Sequence, residues 1–182
     1  MAALVPAALV AMALLGGHAT AARADNLPRT PSPTFADDAD EFPVADRVVV
    51  RKSERRLLLM RGNQVLRSYR VALGADPVGH KQKAGDSRTP EGSYQLVRRN
   101  PRSEFFLSIQ VSYPNERDAS NARRHGWDPG GSIMIHGLPN RLKRDPSYYE
   151  RDWTDGCIAV SNSDMVEIWL LTNNNTPIDI LP

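Results

Sequence analysis

Short apolar runs, not long helical stripes, punctuate the chain from residue 47 onward. Residues 48–50, 57–60 and 65–73 are rich in β-branched and aliphatic side chains and predict strands, with Gly62-Asn63 as the tight turn between the second and third. Residues 93–97, 105–111, 132–136, 157–160 and 178–181 carry the same signature. Residues 74–92 hold four glycines and two prolines in nineteen positions, a long loop of the kind that carries function. The stretch 112–131 lacks apolar periodicity and reads as irregular.

One helix is well signalled. Ser161 offers a capping hydroxyl with Asp164 three residues on, and Met165, Ile168, Trp169 and Thr172 follow at i, i+3, i+4 and i+7. Asn173-Asn174-Asn175 and Pro177 end it. Met165 and Trp169 are expected in the core rather than against a ligand. The pattern predicts a mainly β (α+β) single domain with one clear helix near the C-terminus.

The first 24 residues differ in kind. Residues 2–15 are apolar, Arg23 is the one charge, and Ala22-Arg23-Ala24 is an A-x-A site, so 1–24 is expected to be a secretory signal peptide. Its apolar span is too short for a membrane helix, which leaves no integral membrane segment in the mature chain. Residues 25–46 carry Pro28, Pro31, Pro33 and Pro43 around an acidic run at 37–41 and read as a flexible leader. The folded domain is expected over 47–181, in the periplasm or cell envelope. Lys and Arg number 23 against 21 Asp and Glu, a balance that points to no partner. Arg98-Arg99 and Arg123-Arg124 are isolated pairs that read as solvated faces, too short for a nucleic-acid patch.

Export sharpens the meaning of the single cysteine. Cys157 has no internal disulfide partner, so it is either buried or used. It sits in Thr154-Asp155-Gly156-Cys157-Ile158, at the head of a strand after a glycine turn. Gly130-Gly131-Ser132-Ile133-Met134-Ile135-His136-Gly137 is an apolar strand ending in His-Gly. A thiol needs a base to become a nucleophile, and an imidazole can take that proton and return it to a leaving amine. Glycine beside the nucleophile lets backbone N–H groups near Gly156 and Cys157 converge as an oxyanion hole. The Gly137 carbonyl is the candidate to orient the ring. Taken singly, each residue also fits a structural role, as a strand-end histidine or a small buried thiol.

At these residues the chain resembles the YkuD-domain L,D-transpeptidases of bacterial cell walls, whose signature is His-Gly, a gap, then Ser/Thr-x-Gly-Cys. Here His136-Gly137 and Thr154-Asp155-Gly156-Cys157 stand at that spacing, with Ala72-Leu73-Gly74 and Gly85-Asp86-Ser87-Arg88-Thr89-Pro90-Glu91-Gly92 resembling the family's upstream strand and T-P-x-G loop. The resemblance implies a β-sandwich or barrel catalytic domain in which Cys157 attacks a peptidoglycan stem peptide at the L-centre of its third-position diamino acid. It implies His136 as general acid/base, with Gly137, Thr154, Asp155 and Gly156 orienting the pair and forming the oxyanion site. Tyr113, Trp127, Gly131 and Trp153 would belong to the substrate pocket. No metal or organic cofactor is implied; the partners are stem peptides and, further, a wall-linked lipoprotein.

Two positions depart from the family pattern. Asp155 precedes Gly156, and Ala159 stands where many members carry arginine. The segment around Trp153 and Gly126-Trp127-Asp128-Pro129 resembles a subgroup that includes hydrolases releasing lipoprotein from the wall. Transfer to an amine, hydrolysis as an L,D-carboxypeptidase or amidase, and a non-catalytic wall-binding module therefore stand as alternatives. A zinc peptidase drawing on His80, His125 and His136 lacks the short paired spacing of zinc motifs.

Overall fold

The apolar runs form eight strands: β1 (Arg47–Arg51), β2 (Arg56–Arg61), β3 (Gln64–Arg70), β4 (Gly92–Ser103), β5 (Phe106–Val111), β6 (Met134–His136), β7 (Ile158–Ala159) and β8 (Pro177–Leu181). Two helices join them, α1 (Glu116–Arg124) and α2 (Asn162–Leu171). The structure is a computed structural model describing residues 43–141, 148 and 150–182; the expected signal peptide and residues 25–42 of the leader lie outside the described residues.

The strands run in the order β3-β2-β1-β8-β4-β5-β6-β7. Pairing is antiparallel except for β1–β8 and β6–β7, which are parallel. The two ends of this order meet. Ala72, just past β3, exchanges backbone hydrogen bonds of 2.9 and 2.8 Å with Ala159 of β7, so the sheet closes on itself. Inside lie Val48, Val50, Leu57, Leu59, Leu96, Ile109, Ile135 and Ile158, each worth about 1.5–3 kcal/mol on burial. Met165, Ile168 and Leu171 of α2 pack onto the same core, with Ser161 accepting the Asp164 N–H as its cap.

Three features depart from the sequence-based expectation. The first is α1, which occupies part of the stretch read as irregular. Asn115 caps it through a reciprocal box with Asp118, but its buried residues are only Asp118 and Ala122. Asp118 anchors it by accepting from Tyr94 Oη at 3.0 Å and pairing with His80 Nε2 at 3.2 Å. A helix docked by a carboxylate leaves no apolar period to find. Second, β4 runs on past residue 97 to Ser103 through two irregularities in its pairing with β5. Arg99 there is not solvated: it donates to the Trp169 and Thr172 carbonyls and stacks on the Trp169 ring. Third, the leader ends before residue 46, because Ala45 is buried and donates to the Leu171 carbonyl at 2.7 Å.

Candidate active site

Parallel pairing of β6 with β7 sets Ile135 beside Ile158 and His136 beside Ala159, which brings Cys157 alongside Met134, two residues before the histidine. His136 and Cys157 line one cleft of about 540 Å³, together with Gly131, Ser132, Trp153 and Thr154. The His136 ring is buried, and its Nδ1 lies 2.7 Å from the Gly137 carbonyl oxygen. A carbonyl only accepts, so Nδ1 carries the proton and Nε2 of the neutral ring is the acceptor. A Cβ at Gly137 would crowd Asn162 Oδ1 at 2.5 Å, Phe106 Cβ at 3.0 Å and the Phe105 carbonyl at 3.2 Å, so the position favours glycine.

The turn before the sulfur is closed by Thr154. Its hydroxyl donates to the Cys157 carbonyl at 2.7 Å and accepts the Gly156 N–H at 3.1 Å. This corrects one expectation: the Gly156 N–H is already engaged and is no free oxyanion donor. Among the described residues the Cys157 N–H has no acceptor, and it is the donor left at the nucleophile. Gly156 serves sterically, at φ +124° with the Arg88 carbonyl packed against its Cα. Asp155 is exposed and contributes charge rather than closing the turn.

A buried lysine and a half-buried arginine brace the surroundings. Lys52 Nζ donates to the Gly79 carbonyl (2.6 Å), the Thr89 carbonyl (3.0 Å) and Glu91 Oε1 (2.7 Å), tying both ends of the 79–91 loop to the β1–β2 turn. Thr89 Oγ1 in turn accepts the Gly74 N–H. From the same turn, Arg55 pairs with Asp152 at 2.8 Å, and Asp152 accepts the Leu73 N–H, so the strand leading to Trp153 is fixed too. Neither Lys52 nor Arg55 was singled out by sequence reading, because a basic residue in a surface-style turn carries no mark of burial.

Electrostatics set a neutral resting pair. Burial pushes the His136 pKa down, against the opposing effect of the Gly137 hydrogen bond. Burial pushes the Cys157 thiol up; the Met134 N–H and Lys81 pull it down, and Asp155 adds to the rise. Lys81 is itself buried against Asp86 at 2.8 Å. Burial works against the Asp86 charge, yet Lys81 and the N–H groups of Gln82, Lys83 and Arg88 outweigh it and hold the carboxyl near about 2.

The remaining candidates separate. Gly131 and Trp153 line the cleft, and the indole sits edge-on to His136 with ring centroids 5.8 Å apart. Tyr113 and Trp127 are not among its lining residues. Tyr113 is a core residue, donating to the Pro129 carbonyl, and Trp127 stacks on His125 under Lys83. A proline or glycine beside an aromatic marks a turn; it does not say which wall the ring faces. His80 accepts the Glu91 N–H and pairs with Asp118, and among the described residues no three His, Cys, Asp or Glu side chains are grouped to hold a metal ion.

This closed sheet, with a histidine in one of two adjacent parallel strands and a cysteine just before the other, both facing one cleft, is that of a transpeptidase-type catalytic domain. The family match agrees: residues 45–180 fit the YkuD L,D-transpeptidase catalytic domain, and the chain belongs to that family. The chain is 37% identical over 108 residues to YafK of Escherichia coli K12, a candidate L,D-transpeptidase, which covers 58% of this chain and 37% of YafK. Among solved structures it is similar to the helical cell shape determining protein Pgp2 of Campylobacter jejuni (25% identity, TM-score 0.55, 73% of this chain and 46% of that one). It shares its fold with an L,D-transpeptidase of Mycobacterium smegmatis (13% identity, TM-score 0.50, 74% and 58%). The chain therefore spans well under half the length of the curated relative it matches.

Proposed function

We propose that this chain is an exported cysteine acyltransferase of the cell envelope that cleaves peptidoglycan stem peptides through Cys157 and passes the acyl group to an amine. The observation that carries the reading is the convergence of His136, with its proton held on Nδ1 by Gly137, and a half-buried Cys157 in one cleft.

Neutral His136 takes the thiol proton on Nε2 as Cys157 Sγ attacks the carbonyl carbon at the L-centre of the third-position diamino acid. The oxyanion of the tetrahedral intermediate points at the Cys157 N–H, a donor that is in place before the charge develops. His136 returns the proton to the leaving amine, which frees the thioester. An incoming amine then attacks the thioester, loses its proton to His136, and the thiol is restored. Export of residues 25–182 by a signal peptide at 1–24 belongs to this reading, as does recruitment to a wall-linked lipoprotein.

Water in place of the amine makes the same site a hydrolase, and Ala159 is the residue that favours this second reading. The test is mass spectrometry of tetrapeptide-stem muropeptides after incubation with residues 25–182, alongside Cys157→Ala. Cross-linked or amine-capped products support transfer, and cleaved monomers alone support hydrolysis. Products that persist unchanged in Cys157→Ala remove the nucleophile from the mechanism, and sacculus binding without any product identifies a wall-binding module.

A further inference from the structure

The outward face of β4, β5 and β6 carries more than the floor beneath His136. Strand register lays Asn100, Ser108 and His136 in one row across the three strands, and Arg98, Gln110 and Met134 in the next. The residues between, Ile109 and Ile135, turn into the core. Asn100, Ser108 and Met134 line the cleft of Cys157 and also a neighbouring depression of about 340 Å³ that Arg98, Arg99 and Gln110 complete. The two hollows are one groove. Two residues along a strand and two strands across place the Arg98 backbone about 12 Å from that of His136.

Arg98 is exposed and, among the described residues, pairs with no carboxylate. Its neighbour Arg99 lines the same depression, but its guanidinium is held by Trp169 and Thr172 at the end of α2. Arg102 and Glu104 both line the Cys157 cleft, so its wall nearer the nucleophile carries a charge of each sign. The groove thus runs from the nucleophile over neutral hydrogen-bonding side chains to Arg98, an exposed guanidinium with no carboxylate partner among the described residues. Its fork matches a carboxylate, while Asn100, Ser108 and Gln110 suit peptide amides.

We propose that Arg98 heads a carboxylate-binding subsite for the acyl-donor peptide, about three residue lengths from the carbonyl that Cys157 attacks. The inference rests on the function proposed above and adds the feature of the substrate that the enzyme reads. Arg98 sets affinity and takes no part in bond making.

The experiment compares two stem tetrapeptide donors, one with its internal carboxylates free and one with them amidated, against the wild-type chain and Arg98→Gln. With the free-carboxylate donor, Arg98→Gln raises KM about tenfold and leaves kcat unchanged. With the amidated donor the two proteins behave alike. Thermal midpoints should coincide, since Arg98 is an exposed strand residue. An unchanged KM for the free donor overturns the subsite, as does an equal rise for both donors. Absence of any turnover by wild type on either donor removes the proposed function itself, and the subsite with it.

Discussion

A Cβ on Gly156 would stand 2.5 Å from the carbonyl oxygen of Arg88, so the turn that presents the nucleophile exists only because that position has no side chain. The same contact makes the T-P-E-G loop the back wall of the nucleophile. Its neighbour carbonyl, Ser87 O, would lie 2.1 Å from a Cβ on Gly74. Two glycines far apart in sequence thus let one loop press onto the catalytic turn.

Gly156→Ala should therefore disable the site out of proportion to its effect on folding. An alanine at φ +124° costs on the order of 1–3 kcal/mol in strain, and relief requires the turn to move off Arg88. The expected outcome is a folded protein with a lowered thermal midpoint and a loss of Cys157 acylation of at least about 10²-fold, the scale of a lost oxyanion donor. Acylation by a carbapenem-type reagent, followed by intact mass, measures it; wild-type rates in Gly156→Ala would refute this account of the turn.

Thr154→Val keeps the shape of the side chain and removes its hydroxyl. The buried Gly156 N–H then loses its acceptor and the Cys157 carbonyl its donor. An unsatisfied buried polar group costs about 1–3 kcal/mol, to be read as a shift in urea midpoint at unchanged slope. Thr154→Ser should recover most of it. If Val and Ser behave alike, the hydroxyl is not what closes the turn.

Much of this was readable from the chain, for reasons that differ by residue. Strands such as β1 and β2 announce themselves because their apolar runs are buried in the sheet. The His136-Gly137 and Gly156-Cys157 pairs were legible because each glycine answers a local steric demand. The rest depended on partners distant in sequence. The docking of α1 through Asp118 needs Tyr94 and His80, and the burial of Lys52 needs the 79–91 loop; neither leaves a periodic trace. The oxyanion expectation failed at Gly156 because a threonine two residues earlier claims its N–H, a contact that spacing alone does not reveal.

Lys52→Met tests the brace. Lys52 is 2% exposed, so losing its ammonium strands Glu91 and two carbonyls, and removal of one partner from such a buried pair costs about 3–5 kcal/mol. Arg51, one residue earlier, pairs with Glu54 with both side chains about half exposed, and Arg51→Ala should cost about 1 kcal/mol or less. Denaturant unfolding of both variants decides the matter. Equal and small losses would mean that Lys52 does not hold the loop.

The reactivity of Cys157 should follow pH in a way that its neighbours dictate. Burial and Asp155 raise the thiol pKa, while Met134 and Lys81 lower it. A raised acid pKa means that the thiolate appears only at higher pH, so iodoacetamide alkylation should reach half its maximal rate above the ordinary thiol value of about 8.5. Asp155→Asn removes a negative charge that disfavours the thiolate, and the midpoint should move down. Lys81→Met removes a positive charge that favours it, and the midpoint should move up. The two variants must therefore displace the profile in opposite directions around wild type. Displacement of both in one direction would mean that folding or access, not charge, governs the sulfur. His136 titrates below its ordinary value, so near neutral pH its ring is already uncharged and able to accept the thiol proton when substrate arrives.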